Sequence, residues 1–422
     1  MNYCLINCYS DNNKGDLGII LSTIHLLKEY DSSAEVSAIS TYNHDDPAFM
    51  TDHVILRKYT HVYPSIFGEL NIGRRKDAFS KIARLTWDSI RLLFIIICKS
   101  KLFLSRNERL SLKKIEESDF VVSKGGSFLC NEKTFRTKIA LIRFFFLFWI
   151  IFRLFPNKKV VILCQSLGPV YGSISTRIMN FVLRKCDKIV LREDVCVGQY
   201  PNIVIPEEKK YCLNDIAFHL PAELLNDSVI NRRDGRIKVG VTMKTMSVER
   251  NAEFQQMMIE SLEYIISKYN ADLYIYPHVT KDDDVDASFR VYRRINDKYK
   301  EHIFLLTNNY TSGQLKSLYA QMDFFIASRL HSSIFAIGEG IPSIVIAYHG
   351  TKAQGVFANY GLEDWVVQDY SPIVLKEKID DMVLQYKRIR SELTAKVEQD
   401  HLAFMELFKI IFSRESNAEE NY

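Results

Sequence analysis

Phe324-Phe325-Ile326-Ala327-Ser328-Arg329-Leu330-His331-Ser332-Ser333 opens as a short apolar run and closes as the first turn of a helix. Four consecutive large apolar residues suit a buried parallel strand, and Ser332 to Gly338 reads as the helix that follows it. The free N–H groups of such a helix face the end of the strand, which is where an α/β protein holds an anion. Arg329 and His331 would then be site residues. A plainer reading stays open, in which Arg329 pairs with a nearby acid such as Asp323 and His331 merely occupies a helix start.

Outward from this stretch the same alternation continues. Strands are predicted at Ile237 to Met243, Leu273 to Pro277, Ile303 to Leu306 and Ser343 to Ala347, with helical stretches such as Phe254 to Tyr269 between them. The first half repeats the pattern with Tyr3 to Tyr9, Ala34 to Ser40, Asp119 to Ser123, Lys159 to Gln165 and Lys188 to Leu191. Leu17 to Tyr30 is a predicted helix with Asp16 as its N-cap. A polar stretch around 225 to 235 reads as a linker. The expected architecture is α/β, with two Rossmann-like domains whose parallel sheets face a cleft. The first spans 1–225, with a basic and apolar insertion at 57–115 and an apolar helix at 134–155. The second spans 236–375, and a helical segment at 376–415 bridges back to the first.

A length of 422 residues, 47% of them hydrophobic, is enough for two cores. The eight cysteines form no C-x-x-C pair, which argues against a zinc ribbon or a disulfide framework and for a reducing cytoplasm. The N-terminus lacks the charge and apolar core of a signal peptide and reads as a strand. The net charge of +4 is unevenly spread: twelve Lys and Arg face four acids between Arg57 and Arg109, and seven face none between Lys133 and Lys159. Both segments hold apolar runs, Ile90 to Ile97 and Phe144 to Phe152, that fall short of the roughly 20 residues needed to span a bilayer. They fit helices lying on an anionic membrane, or internal helices with basic rims. Nucleic acid is not expected, because no recognition fingerprint accompanies the charge.

Several predicted strand ends carry loops suited to anions. Ser123-Lys124-Gly125-Gly126-Ser127 lets backbone approach a ligand, and Gln165-Ser166-Leu167-Gly168-Pro169 and Arg192-Glu193-Asp194 end two further strands. None has P-loop or G-x-G-x-x-G spacing, which disfavours ATP and dinucleotides.

Together with Asn13-Lys14-Gly15-Asp16, Asp215-Ile216-Ala217-Phe218, Gly340-Ile341-Pro342 and Tyr348 through Lys352, these motifs give a chain that resembles the polysaccharide pyruvyl transferase family from residue 13 to residue 352. The resemblance implies a GT-B-like fold and transfer of pyruvate from phosphoenolpyruvate to two hydroxyls of a sugar, as a cyclic ketal. It places Arg329, His331 and Arg192 at the donor site, with Lys352, Ser332 and Tyr348 beside them. Lys14, Gly15, Gly125, Gly126, Ser127, Gln165 and Gly168 become cleft-loop residues. The chemistry asks for such a set, since a phosphate and a carboxylate need at least two cations, and carbon protonation needs an acid titrating near neutrality, for which His331 is suited. Asp16 would orient or deprotonate the acceptor. No cofactor and no metal are expected. The acceptor would be a glycan, lipid-linked if the membrane reading holds, and the location cytoplasmic, on the inner face of the plasma membrane. Two alternatives remain: a glycosyltransferase using a nucleotide sugar, with Glu363 or Glu339 on the ribose, and a non-catalytic capsule-assembly protein.

Overall fold

In a computed structural model, residues 1–68, 78–194, 198–225, 230, 233, 235–280, 283–347 and 352–413 are described. Tyr348 and most of the predicted linker lie outside them. The first half runs β1 (Asn2–Cys8), α1 (Lys14–Tyr30), β2 (Glu35–Ser40), α2 (Pro47–Thr51), β3 (His61–Tyr63), α3 (Ala78–Cys98), α4 (Arg106–Glu117), β4 (Phe120–Ser123) and β5 (Gly126–Leu129). It continues through α5 (Phe135–Phe144), α6 (Phe146–Leu154), β6 (Lys159–Leu167), α7 (Ser173–Lys185), β7 (Lys188–Leu191) and β8 (Lys210–Cys212). These strands form one sheet in the order β3-β2-β1-β4-β6-β7-β8, with β5 added against β6, and every pairing is parallel.

The second half runs β9 (Ile237–Thr242), α8 (Val248–Tyr269), β10 (Ala271–Tyr276), α9 (Asp284–Arg294), β11 (Ile303–Leu305), α10 (Ser312–Tyr319), β12 (Phe324–Ala327) and α11 (Leu330–Ile337). After it come β13 (Ser343–Ile346), α12 (Lys352–Ala358), β14 (Val366–Val367) and α13 (Pro372–Ile411). Its sheet, β11-β10-β9-β12-β13-β14, is again wholly parallel. In each sheet the chain winds outward from a central strand and then jumps to that strand's other side, between β1 and β4 and between β9 and β12. Such switch points open a crevice at the carboxyl ends of the strands. The loops emerging there carry Lys14, Lys124 and Arg329.

A long helix also joins the two halves. α13 lies on α8, where Asp380 accepts from Tyr264 and Tyr269 and pairs with Lys268. Its end returns to the first sheet, where Phe408 and Phe412 meet Tyr30, Tyr3 and Phe120 edge-on at 5.1–6.1 Å, apart from one tilted contact.

Local boundaries differ from expectation in instructive ways. α1 starts at Lys14, capped by the Asn13 side chain accepting from the Asp16 N–H; Asp16 therefore lies inside the first turn and is not the N-cap. The apolar stretch 134–155 is two helices broken at Phe145, and the break lets both bury apolar residues. β3, β5, β8 and β14, of two to four residues, are too short to show any period in sequence.

The aromatic clasp of α13 should matter for stability: Phe408→Ala, at a fully buried site, is expected to lose about 3–5 kcal/mol in denaturant unfolding.

Candidate functional site

The site is built at the seam between the two sheets, and a glycine sets its closeness. A Cβ on Gly15 would stand 2.5 Å from the His331 ring, so only glycine lets the first turn of α1 press against α11. Gly18, one turn on, does the same against Phe335. Around this contact the backbone is stitched across the seam. The Lys14 N–H donates to the His278 carbonyl at 3.3 Å, the Thr280 N–H to Asn12 at 3.1 Å, and the Ser312 hydroxyl to the Lys14 carbonyl at 2.8 Å.

Cationic and imidazole groups converge here. Lys14, almost wholly buried, donates to Asn309 at 2.8 Å, and burial pushes its ammonium down to about 8 against the pull of Asp11. His278 is sealed from solvent beside Phe335; burial first, then the charges of His331, Arg329 and Lys14, hold it well below the ordinary imidazole value. Its Nε2 makes no hydrogen bond among the described residues. Arg329 donates to Asp284 at 2.6 Å, and the other oxygen of Asp284 accepts from the backbone N–H groups of His278 and Val279. Burial raises the Asp284 carboxyl despite that arginine. Arg329 is also the N-cap of α11, with no side-chain cap among the described residues, and its carbonyl accepts from the Ser332 N–H at 3.1 Å.

His331 keeps about a fifth of its side chain exposed, with Nε2 lying 3.7 Å from Asp215. Asp215 is fully buried, and burial would raise its carboxyl, but Arg192 and then His331 outweigh that and hold it below the usual carboxylate range. Arg192 donates to Asp215 at 2.5 Å and to Ser166 at 2.6 Å, and lies 3.3 Å from Glu193. At 3.7 Å the Asp215 carboxylate faces this ring nitrogen without a hydrogen bond among the described residues.

On the other side of the seam Asp16 pairs with the buried Lys124 and accepts from the Asn13 amide at 2.5 Å. Gly126, at φ +123°, sets its Cα beside the Asp16 carboxylate. A cavity of about 750 Å³ opens in the first domain at the ends of β1, β2 and β6. Phe67, Phe128, Phe144 and Tyr200 give it aromatic walls, Asn7, Asn131 and Thr137 give it polar ones, and Lys352 reaches it from the second domain. Neither Arg329 nor His331 lines it; Glu193 does, and links it through Arg192 and Asp215 to the His331 ring.

The expected residues thus separate into two groups. Arg329, His331, Lys14, Gly15 and Asp16 come together at the seam, and Lys352 and Gly168 border the cavity. Arg192 is not on the cleft wall: at 1% exposure its guanidinium is spent on two buried carboxylates, so its place is behind Asp215. Ser332 points into the core, bonded to Thr242 and the Arg329 carbonyl. Gln165 is fully buried and donates to the Ser166 carbonyl. Gly125 is small because the Leu163 and Cys164 carbonyls pass 2.6 Å from where its Cβ would be, and this concerns strand packing, not ligand approach. Ser127 is half-buried, beside Cys130. The partner of Arg329 is Asp284 and not Asp323, which instead accepts from the Lys238 N–H. His278 and Asp284 were missed; the signal for His278 was its place two residues after a strand, the rule that singled out Arg329.

Two doubly wound parallel sheets with cations at both switch points define a GT-B-like two-domain architecture. The structure aligns over its whole length with a putative UDP-N-acetylglucosamine 2-epimerase of Listeria monocytogenes, TM-score 0.57 at 11% identity, covering 100% of this chain and 99% of that one. The UDP-N-acetylglucosamine 2-epimerase of Neisseria meningitidis gives 0.55 at 11% identity, covering 98% and 99%. The profile of the polysaccharide pyruvyl transferase family matches residues 13–350, and the chain belongs to that family. It is 23% identical over 312 residues to the amylovoran biosynthesis protein AmsJ of Erwinia amylovora, covering 68% of this chain and 71% of the relative.

The two placements of arginine have separable consequences. Arg192→Met strands two buried carboxylates, and a loss of about 3–5 kcal/mol is expected in chemical denaturation; a purely ligand-binding arginine would leave the unfolding midpoint in place.

Proposed function

We propose that the protein transfers pyruvate from phosphoenolpyruvate to two hydroxyls of a sugar in a cell-surface polysaccharide or its lipid-linked precursor. The observation that carries this reading is Arg329 and His331 at a helix start, pressed by Gly15 against Lys14 and flanked by His278. Family membership supports it independently.

In this reading the donor's phosphate and carboxylate lie against Arg329, Lys14 and the first N–H groups of α11, whose combined positive field holds a small polyanion. His331, facing Asp215, is the acid that gives a proton to the methylene carbon, which becomes a methyl group. The electron-poor carbon next to it accepts the first sugar hydroxyl, the bond to the phosphate oxygen breaks, and the second hydroxyl closes the ketal. One proton enters at carbon, two leave the hydroxyls, and phosphate carries one away. We assign the hydroxyl proton to Asp16, whose carboxylate is paired with Lys124. The acceptor occupies the first-domain cavity, whose aromatic faces suit sugar C–H surfaces and whose amides and hydroxyls suit sugar oxygens. In this reading Arg329, Lys14 and the helix start balance the donor's charge. We place the enzyme on the cytoplasmic side, in peripheral contact with the membrane that carries its acceptor; no helix among the described residues is long and apolar enough to cross a bilayer. Against a nucleotide-sugar donor, Glu339 is tied to Lys316 at 3.3 Å and Glu363 is exposed on a short helical turn.

Incubation with phosphoenolpyruvate and candidate pyranose acceptors should release phosphate in step with a ketal on the glycan, and phosphoenolpyruvate should raise the melting temperature. Protection by a uridine diphosphate with no phosphate released would favour the glycosyltransferase reading, and protection by neither the non-catalytic one. His331→Gln is expected to lower turnover by about 10²–10⁴ with an unchanged circular dichroism spectrum. Arg329→Ala is the poorer test, since it also strands the buried Asp284.

Donor affinity should depend on pH through Lys14. The bound polyanion favours the ammonium, so affinity is full below about 8 and falls as pH rises through that value. Isothermal titration against pH should show this inflection in the wild type and not in Lys14→Met.

A further inference from the structure

α3 is a helix that is apolar on its outside. Its inner face is anchored: Leu92 and Ile95 are buried, Arg91 bonds Asp88 and Glu108, and Asp88 also takes Arg143 of α5 at 2.6 Å. With that face fixed, Trp87, Ile90, Leu93 and Ile97 line up on the opposite side at helical spacing, and Leu102 and Phe103 extend the surface beyond the helix end. These six residues are between 41% and 70% exposed. Trp87 and Phe94 stack edge-on against Phe103 at 5.9 and 4.6 Å, forming an aromatic ridge in water. So continuous an apolar surface is rarely left to solvent.

Charge identifies what covers it. Between residues 82 and 110 the only acids are Asp88 and Glu108, and both are turned inward into ion pairs with Arg91 and Arg143. The exposed charges around the apolar face, Lys99, Arg106 and Arg109, are positive, and the half-buried Arg84 lies 4.0 Å from Asp88. Lys101 is occupied by Glu116 at 3.1 Å. A protein partner of ordinary composition does not call for a mainly cationic rim around an aromatic centre; the surface of an anionic bilayer does.

We infer that the outer face of α3 with the Leu102-Phe103 turn docks in the headgroup region of an anionic phospholipid bilayer, the helix lying in the membrane plane. This gives the peripheral contact proposed above its surface, and it stands whether or not pyruvate is the group transferred. The Asp88–Arg143 pair ties the docked helix directly to the wall of the first-domain cavity, since Arg143 and Leu147 line it. A glycan whose lipid stays in that bilayer would have its sugar a helix diameter away from the cavity.

The test is flotation of the full chain with phosphatidylcholine vesicles, with and without phosphatidylglycerol, at low and high salt. Binding is expected only with phosphatidylglycerol, weaker at high salt, and with a blue shift of indole emission that Trp87→Phe removes. Ile90→Glu/Ile97→Glu should reduce partitioning by about a hundredfold or more, since both sites are exposed and the variant keeps its circular dichroism. Lys99→Glu/Arg106→Glu/Arg109→Glu should lose about fivefold or more per cation removed. Wild-type protein that stays unbound under all conditions would overturn the inference, and so would equal binding to neutral vesicles. A concentration-dependent dimer abolished by Ile90→Glu/Ile97→Glu, without vesicle binding, would assign the face to a second copy.

Discussion

The contact between Gly15 and the His331 ring is the constraint on which the rest of the site depends. It is a steric allowance rather than a bond: any side chain at 15 would have to occupy the ring's volume. Because the space is empty of a Cβ, the start of α1 and the start of α11 share one seam, and groups from both sheets fall within a single electrostatic neighbourhood. Lys14 enters that neighbourhood from the first sheet, Arg329, His331 and His278 from the second. The low affinity of the seam for uncompensated charge shows in the Lys14 ammonium and the His278 imidazole, both pushed toward neutrality by burial.

Behind the seam lies a second device, a chain of buried ions. Arg192 is placed between Asp215 and Glu193, and Asp215 in turn faces His331. A buried guanidinium with two carboxylates is poor evidence for stability as such, since desolvation offsets much of the attraction. Its effect is orientational: it holds an ionised carboxylate against an imidazole that is partly open to solvent. The same chain reaches the cavity of the first domain through Glu193, so the volume suited to a sugar and the ring suited to proton transfer are coupled through shared charges rather than by lining one pocket.

Much of this was legible along the chain. The motif Ser328 to Ser332 places Arg329 and His331 at the end of β12, and the strand-and-helix alternation is plain wherever strands have four or more buried residues. What escaped was either too short to show a period, as β14 with its two residues, or depended on a partner far away in sequence. Arg192 looked like a cleft residue because it ends a strand; its burial is set by Asp215, 23 residues on, and by Asn359, whose amide donates to its carbonyl. Gly125 looked like a ligand-approach glycine and is a strand-packing one, and the difference lies in the carbonyls of a neighbouring strand.

By itself the sequence determined the two parallel α/β halves, the family resemblance and the residue types at the strand ends, because those follow from local hydrophobic period and from short motifs. The tertiary structure alone decided which charges are spent on each other and which remain at the seam. It did so through desolvation: an arginine held between two buried carboxylates and an arginine paired with one carboxylate at a helix start are written with the same letter, and only packing separates them.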